Sequence, residues 1–174
     1  MNKLISTLLI LFYLPFAAAE PAPKGTEQLR FYVPKGYKVA YENSNKSQNI
    51  MEIIEKSETL KNWTRMITIQ TFKDGKNYQP EKFILAMASL AKKQCGNVQV
   101  VPVKTGQQNG YNFSQKIILC NPNKQTNKSE LMNIKAIKGN DSFYVAQVAN
   151  RVNIDRNEMR KWAIYLRNTV VTKK

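Results

Sequence analysis

The chain has 174 residues, 27 Lys and Arg against 12 Asp and Glu, two cysteines and no histidine. That length suits one domain with a proper hydrophobic core. The missing histidine excludes His-based dyads and triads and imidazole-ligated metal, leaving acid–base work to carboxylates, Lys or Tyr.

Residues 1–19 read as an export signal. Lys3 gives a positive start, residues 4–16 form an apolar stretch ending beyond Pro15, and Ala17 to Ala19 give a small-residue cleavage site. The apolar stretch is shorter than the ~20 residues that a membrane-spanning helix needs. The expected location is therefore periplasmic or extracellular. There, Cys95 and Cys120 suit a disulfide closing a loop of about 25 residues.

Residues 20–28 contain Pro21, Pro23 and Gly25 and read as a flexible lead into a single domain spanning 29–174. Residues 29–33 suggest a short strand stopped at Pro34-Lys35-Gly36. Residues 37–42 and 50–55 read as a hairpin with a polar tip, and residues 65–72 as a strongly alternating, β-branched strand. Pro80 suits the first turn of a helix whose apolar face is Phe83, Ile84, Met87, Ala88, Leu90 and Ala91. Lys92 and Lys93 favour its C-terminal end, Cys95 falls in its last turn, and Gly96 supplies the stop.

Residues 98–103 suggest an edge strand interrupted by Pro102, and Asn109-Gly110 a tight turn before a strand running to Cys120. Residues 121–129 form a polar loop. Strands at 130–138 and 142–151 are joined by Gly139-Asn140-Asp141. Asp155 caps a second helix, with Glu158 three residues on and Met159, Trp162, Ala163, Leu166 and Val170 as its apolar face. The expected fold is α+β: a mostly antiparallel sheet of six to eight strands packed with two amphipathic helices in an α/β/α-like sandwich.

The charge is regional. Residues 20–60 balance six basic against six acidic residues, whereas residues 61–174 carry 20 against six, a net +14. One basic cluster comprises Lys104, Lys116, Lys124, Lys128, Lys135 and Lys138; the other is a helical stripe of Arg156, Arg160 and Arg167. Such an excess draws phosphate-bearing partners. The same composition has a plainer origin in A/T-rich codons, since Lys, Asn and Ile together make 53 residues. Trp162 belongs to the core, and Trp63 reads as a structural corner with a surface anchor as its alternative.

Glu58-Thr59-Leu60-Lys61-Asn62-Trp63-Thr64-Arg65-Met66-Ile67-Thr68-Ile69-Gln70 resembles a family of small exported Gram-negative proteins with the pattern E-x-x-x-N-W-[ST]-x-M-[IV]-T-[IV]-Q. The likeness extends through residues 135–147, the two cysteines and the Trp162 helix. Some members of that family resemble virulence-associated substrates of type II secretion. The layout also looks similar to photosystem-P-protein/Mog1-like sandwiches, a topology used by non-catalytic accessory proteins. Family members often end in another cysteine, which this chain lacks.

Together these readings give a monomeric, non-enzymatic binding protein without cofactor, metal or specific nucleic-acid recognition. Its expected partner is an anionic membrane, with phosphoinositide-bearing lipid included, or another polyanion. The expected phosphate contacts are Lys116, Lys124, Lys128, Lys135, Lys138, Arg151, Arg156 and Arg160. Two alternatives stand beside it: a cell-envelope assembly factor using an apolar patch near Trp63, and a hydrolase of unfamiliar type needing a pocket that holds two carboxylates, or a carboxylate with Lys or Tyr.

Overall fold

The computed structural model describes residues 26–151 and 155–174, so the expected export signal lies outside the described residues. Its elements are β1 (Glu27–Arg30), β2 (Tyr37–Ser44), β3 (Gln48–Glu55), β4 (Arg65–Phe72), α1 (Pro80–Gln94), β5 (Cys95–Gln108), β6 (Tyr111–Asn123), β7 (Glu130–Lys138), β8 (Phe143–Asn150), α2 (Arg156–Asn168) and β9 (Val170–Lys173). The main sheet is antiparallel and has seven strands in the order β2-β3-β4-β8-β7-β6-β5; β1 and β9 form a separate two-stranded ribbon. Two meanders therefore meet at the central β4–β8 pair, with α1 as the connection between them. This is the expected α+β sandwich, with a ribbon in addition.

Alternation along β8 sorts the layers. Phe143 and Val145 pack with Ile84, Ala88 and Ala91 of α1. Ala146 and Val148 pack with Trp162, Tyr165 and Leu166 of α2. Successive strand residues point to opposite faces, so the helices cover opposite sides of the sheet.

Three local expectations need correction. Cys95 is not in the last turn of α1: its backbone is already extended, and it opens β5 opposite Asn123, so pairing ends the helix without help from Gly96. Val170 belongs to β9 and not to the helix, because it pairs with Arg30. The lead does not run to residue 28, since Glu27 already pairs with Lys173. The Glu27 side chain is buried and accepts hydrogen bonds from the backbone N–H groups of Asn140 (2.9 Å), Asp141 (3.0 Å) and Ser142 (3.3 Å). A carboxylate some 113 residues away in sequence thus completes the β7–β8 turn. It also explains Gly139, where a Cβ would collide with the Glu27 carboxylate.

Asn109 and Gly110 both take positive φ, 53° and 82°, the backbone that a two-residue hairpin with matched strand twist requires. The disulfide joins Cys95 to Cys120 across a separation of 25 residues and fastens the end of α1 to β6. Its reduction should lower the unfolding free energy by about 3 kcal/mol through the larger entropy of the open chain. Urea unfolding with and without reductant would measure the loss; an unchanged midpoint would contradict it.

Candidate functional site

The fold separates the basic residues that the sequence grouped. Lys116 pairs with Ile134 and Lys135 with Gln115, so the two lysines project from opposite faces. Lys116 lies on the α1 side, 2.8 Å from Glu81. Arg151 pairs with Glu130 at 3.1 Å and lies 3.8 Å from the centroid of the Trp63 ring. Trp63 is therefore a covered corner, only 7% exposed, and offers no apolar docking patch. Lys124 and Lys128 are exposed on the β6–β7 connection, and Lys138 is half-buried at the other end of β7.

Lys135 is 1% exposed. Its Nζ donates to Gln108 Oε1 (2.7 Å) and to the backbone oxygens of Leu166 (3.0 Å), Arg167 (3.3 Å) and Thr169 (2.8 Å). These carbonyls belong to the C-terminal end of α2, where cations complement the helix dipole. Lys135 is thus an internal cap, not an exposed phosphate contact. Burial, and secondarily the charge of Lys104, pushes its ammonium down to about 8.

Beyond Lys135 the two basic clusters do meet. An open cleft of about 460 Å³ runs between the β5–β6 hairpin and α2, with Lys104, Gln107 and Gln108 on one wall and Arg160, Ala163, Ile164 and Arg167 on the other. The helical residues fall at i, i+3, i+4 and i+7, one face of α2. Lys104 reaches the cleft because β5 shifts register between Pro102 and Lys104: Val101 opposes Ile117 and Lys104 opposes Gln115, both on the α2 side. A bulge re-aims the side chains that follow it, and here it turns Lys104 toward the helix.

No carboxylate lines the cleft, and Lys104, Arg160 and Arg167 make no ion pair among the described residues. Exposed Arg156 lies one turn before Arg160 on the same helix. Apolar side chains accompany the charges: Val101 and Val103 on β5 are each 42% exposed and Ile164 38%. Of the eight expected contacts, only Arg160 and the buried Lys135 line this cleft. Lys104 and Arg167 were visible as members of the two sequence clusters, but only the bulge and the packing of α2 unite them.

A second cavity lies on the α1 side, lined by both Glu52 and Glu130. These residues sit on β3 and β7, three strand spacings apart in the sheet, or about 14 Å. That is well beyond the ~5–9.5 Å at which paired carboxylates act on one bond, and Glu130 is already ion-paired with Arg151.

A protein-family model matches residues 27–174, and the chain belongs to that family. No curated protein matches the sequence. Among solved structures, the chain is similar to the Ran-binding protein Mog1p of Saccharomyces cerevisiae, at 12% identity over 76% of each chain with a TM-score of 0.46. It is also similar to a point mutant of protein Mog1, at 11% identity over 80% of this chain and 84% of that one, again with a TM-score of 0.46.

Proposed function

We propose that this is an exported, non-enzymatic binding protein that receives an anionic, partly apolar partner in the cleft beside α2, with anionic membrane lipid as the partner. One observation carries the reading: Lys104, remote in sequence from Arg160 and Arg167, joins them around one open cleft that no acid among the described residues lines. The exposed Val101, Val103 and Ile164 supply apolar surface next to the charges. Basic side chains with adjacent apolar ones suit the boundary between lipid headgroups and acyl chains.

The test is vesicle sedimentation with neutral phosphatidylcholine, with added phosphatidylglycerol and with added phosphoinositide, at low and high salt. The wild type should sediment with both anionic vesicles and be released by salt. A Lys104→Gln/Arg160→Gln/Arg167→Gln variant should lose about 100-fold in partition, given ~1 kcal/mol for each basic residue near the surface. Equal retention on neutral vesicles would overturn the proposal.

A further inference from the structure

The face of the sheet opposite the basic cleft contains a buried acidic side chain, Glu52. On this side α1 lies over β5, β6 and β7. Beside it the cavity opens over β3, β4 and β8, with Met87 and Ala91 of α1 on its flank. Its volume is about 80 Å³. Glu52, Thr68 and Gln147 stand opposite one another on adjacent strands and form a polar row across the floor.

Glu52 is 3% exposed and makes no ion pair among the described residues. The side-chain oxygen of Gln147 is buried without a partner. No Lys or Arg among the described residues lines the cavity, and Glu130, which also lines it, is occupied by Arg151. Burial raises the pKa of Glu52 with no cation to oppose it. Holding a carboxylate in a largely apolar cavity with no paired cation is costly, and that cost is what a bound cation would relieve.

We propose that this cavity binds a primary alkylammonium group, its nitrogen against Glu52 and its carbon chain among Met66, Met87 and Met132. An ammonium has three donors, no acceptor and a positive charge, matching a lining carboxylate that has no ion pair among the described residues. The walls are apolar, and methionine side chains adapt to a flexible chain. The volume is smaller than the ~150 Å³ that accommodates benzene, which selects a short, unbranched chain. The ammonium belongs either to a free small amine or to a lysine side chain of a protein partner. The site is independent of the basic cleft.

Methyl-labelled methionine gives a local readout in the whole protein. Met66, Met87 and Met132 line the cavity, whereas Met51 packs on the α2 side and serves as the control. n-Butylammonium should shift the first three methyl signals saturably and leave Met51 in place. n-Butanol, of similar shape without charge, should bind at least about 10-fold more weakly, a margin appropriate to a charge-assisted contact. Glu52→Gln should abolish that preference while the Met51 signal and the far-ultraviolet circular dichroism stay unchanged. Nα-acetyl-lysine methylamide distinguishes the source: binding as tight as butylammonium identifies a lysine side chain, and weaker binding a free amine. Equal binding of butanol and butylammonium, or no shift of the three methionines by any ligand, would overturn the proposal without relying on a variant.

Discussion

Arg65→Ala should lower the unfolding free energy by about 3 kcal/mol. That is the low end of the scale for removing a buried partner from an ionic network, because water can reach the half-exposed Glu55 and Glu158. Arg65 lies at the start of β4 and joins elements distant in the chain. Its Nε donates to Asn150 Oδ1 at 2.8 Å and one terminal nitrogen donates to the Tyr37 hydroxyl at 3.1 Å. The guanidinium also pairs with Glu158 at 2.8 Å and Glu55 at 3.3 Å, and lies 5.1 Å from the Trp162 ring centroid. Only 12% of its side chain is exposed, so water cannot replace these partners fully. Arg65→Lys should recover less than half the loss, since an ammonium lacks the planar fork that serves several acceptors at once.

The Arg65 substitution also carries a pH signature. Burial acts to raise the pKa of Glu158, but the hydrogen bond from Trp162 and the charges of Arg65 and Lys161 outweigh it, leaving a net depression below the ordinary 4.5. A depressed acid contributes stability that is present above its unfolded value and lost as pH falls through its folded value. The contribution of Glu158 should therefore fade below about pH 4.5 in the wild type and be smaller in Arg65→Ala. Urea midpoints for the two proteins at pH 7 and pH 3.5 measure both effects; a gap below 1 kcal/mol at pH 7 would reject the network's role.

The alternation of Arg65 through Phe72 marked β4 in the sequence because both its edges are paired with sheet neighbours, which holds its side chains to the period of two on the two faces. β9 was hidden because Val170 follows Leu166 by four residues and prolongs the helical apolar stripe. The helix stops at Thr169, whose backbone turns extended while its hydroxyl donates to the Tyr165 carbonyl. The role of Glu27 depends on a turn more than a hundred residues away, which no local pattern encodes. The cleft was half visible: the Arg160 and Arg167 spacing is local to α2, but the Lys104 side of it depends on a bulge and a neighbouring strand. Glu52 did leave a signal. Ile50, Glu52 and Ile54 alternate on one face of a strand, and a charge between two buried isoleucines points to a buried carboxylate.

Lys135→Met should cost about 4 kcal/mol, because the Nζ that it removes satisfies groups that cannot reach water. The Leu166 and Thr169 contacts are buried, and each orphaned carbonyl costs roughly 1–3 kcal/mol. Loss of the cation from the C-terminal end of α2 adds to this. The pH dependence distinguishes Lys135 from an ordinary core defect. Its folded pKa is about 8, below the ordinary 10.5, with burial as the main cause and Lys104 second. Below about 8 the lysine is charged in both folded and unfolded chains, so its stability contribution does not vary with pH. Between that value and 10.5 the unfolded chain holds a proton that the folded chain has released, and wild-type stability gains from each rise in pH. Methionine cannot titrate, so the difference between wild type and variant should widen from pH 8 toward pH 9.5. Chemical denaturation across that interval measures the difference directly, and a constant or shrinking gap would rule out the lowered pKa that burial gives Lys135.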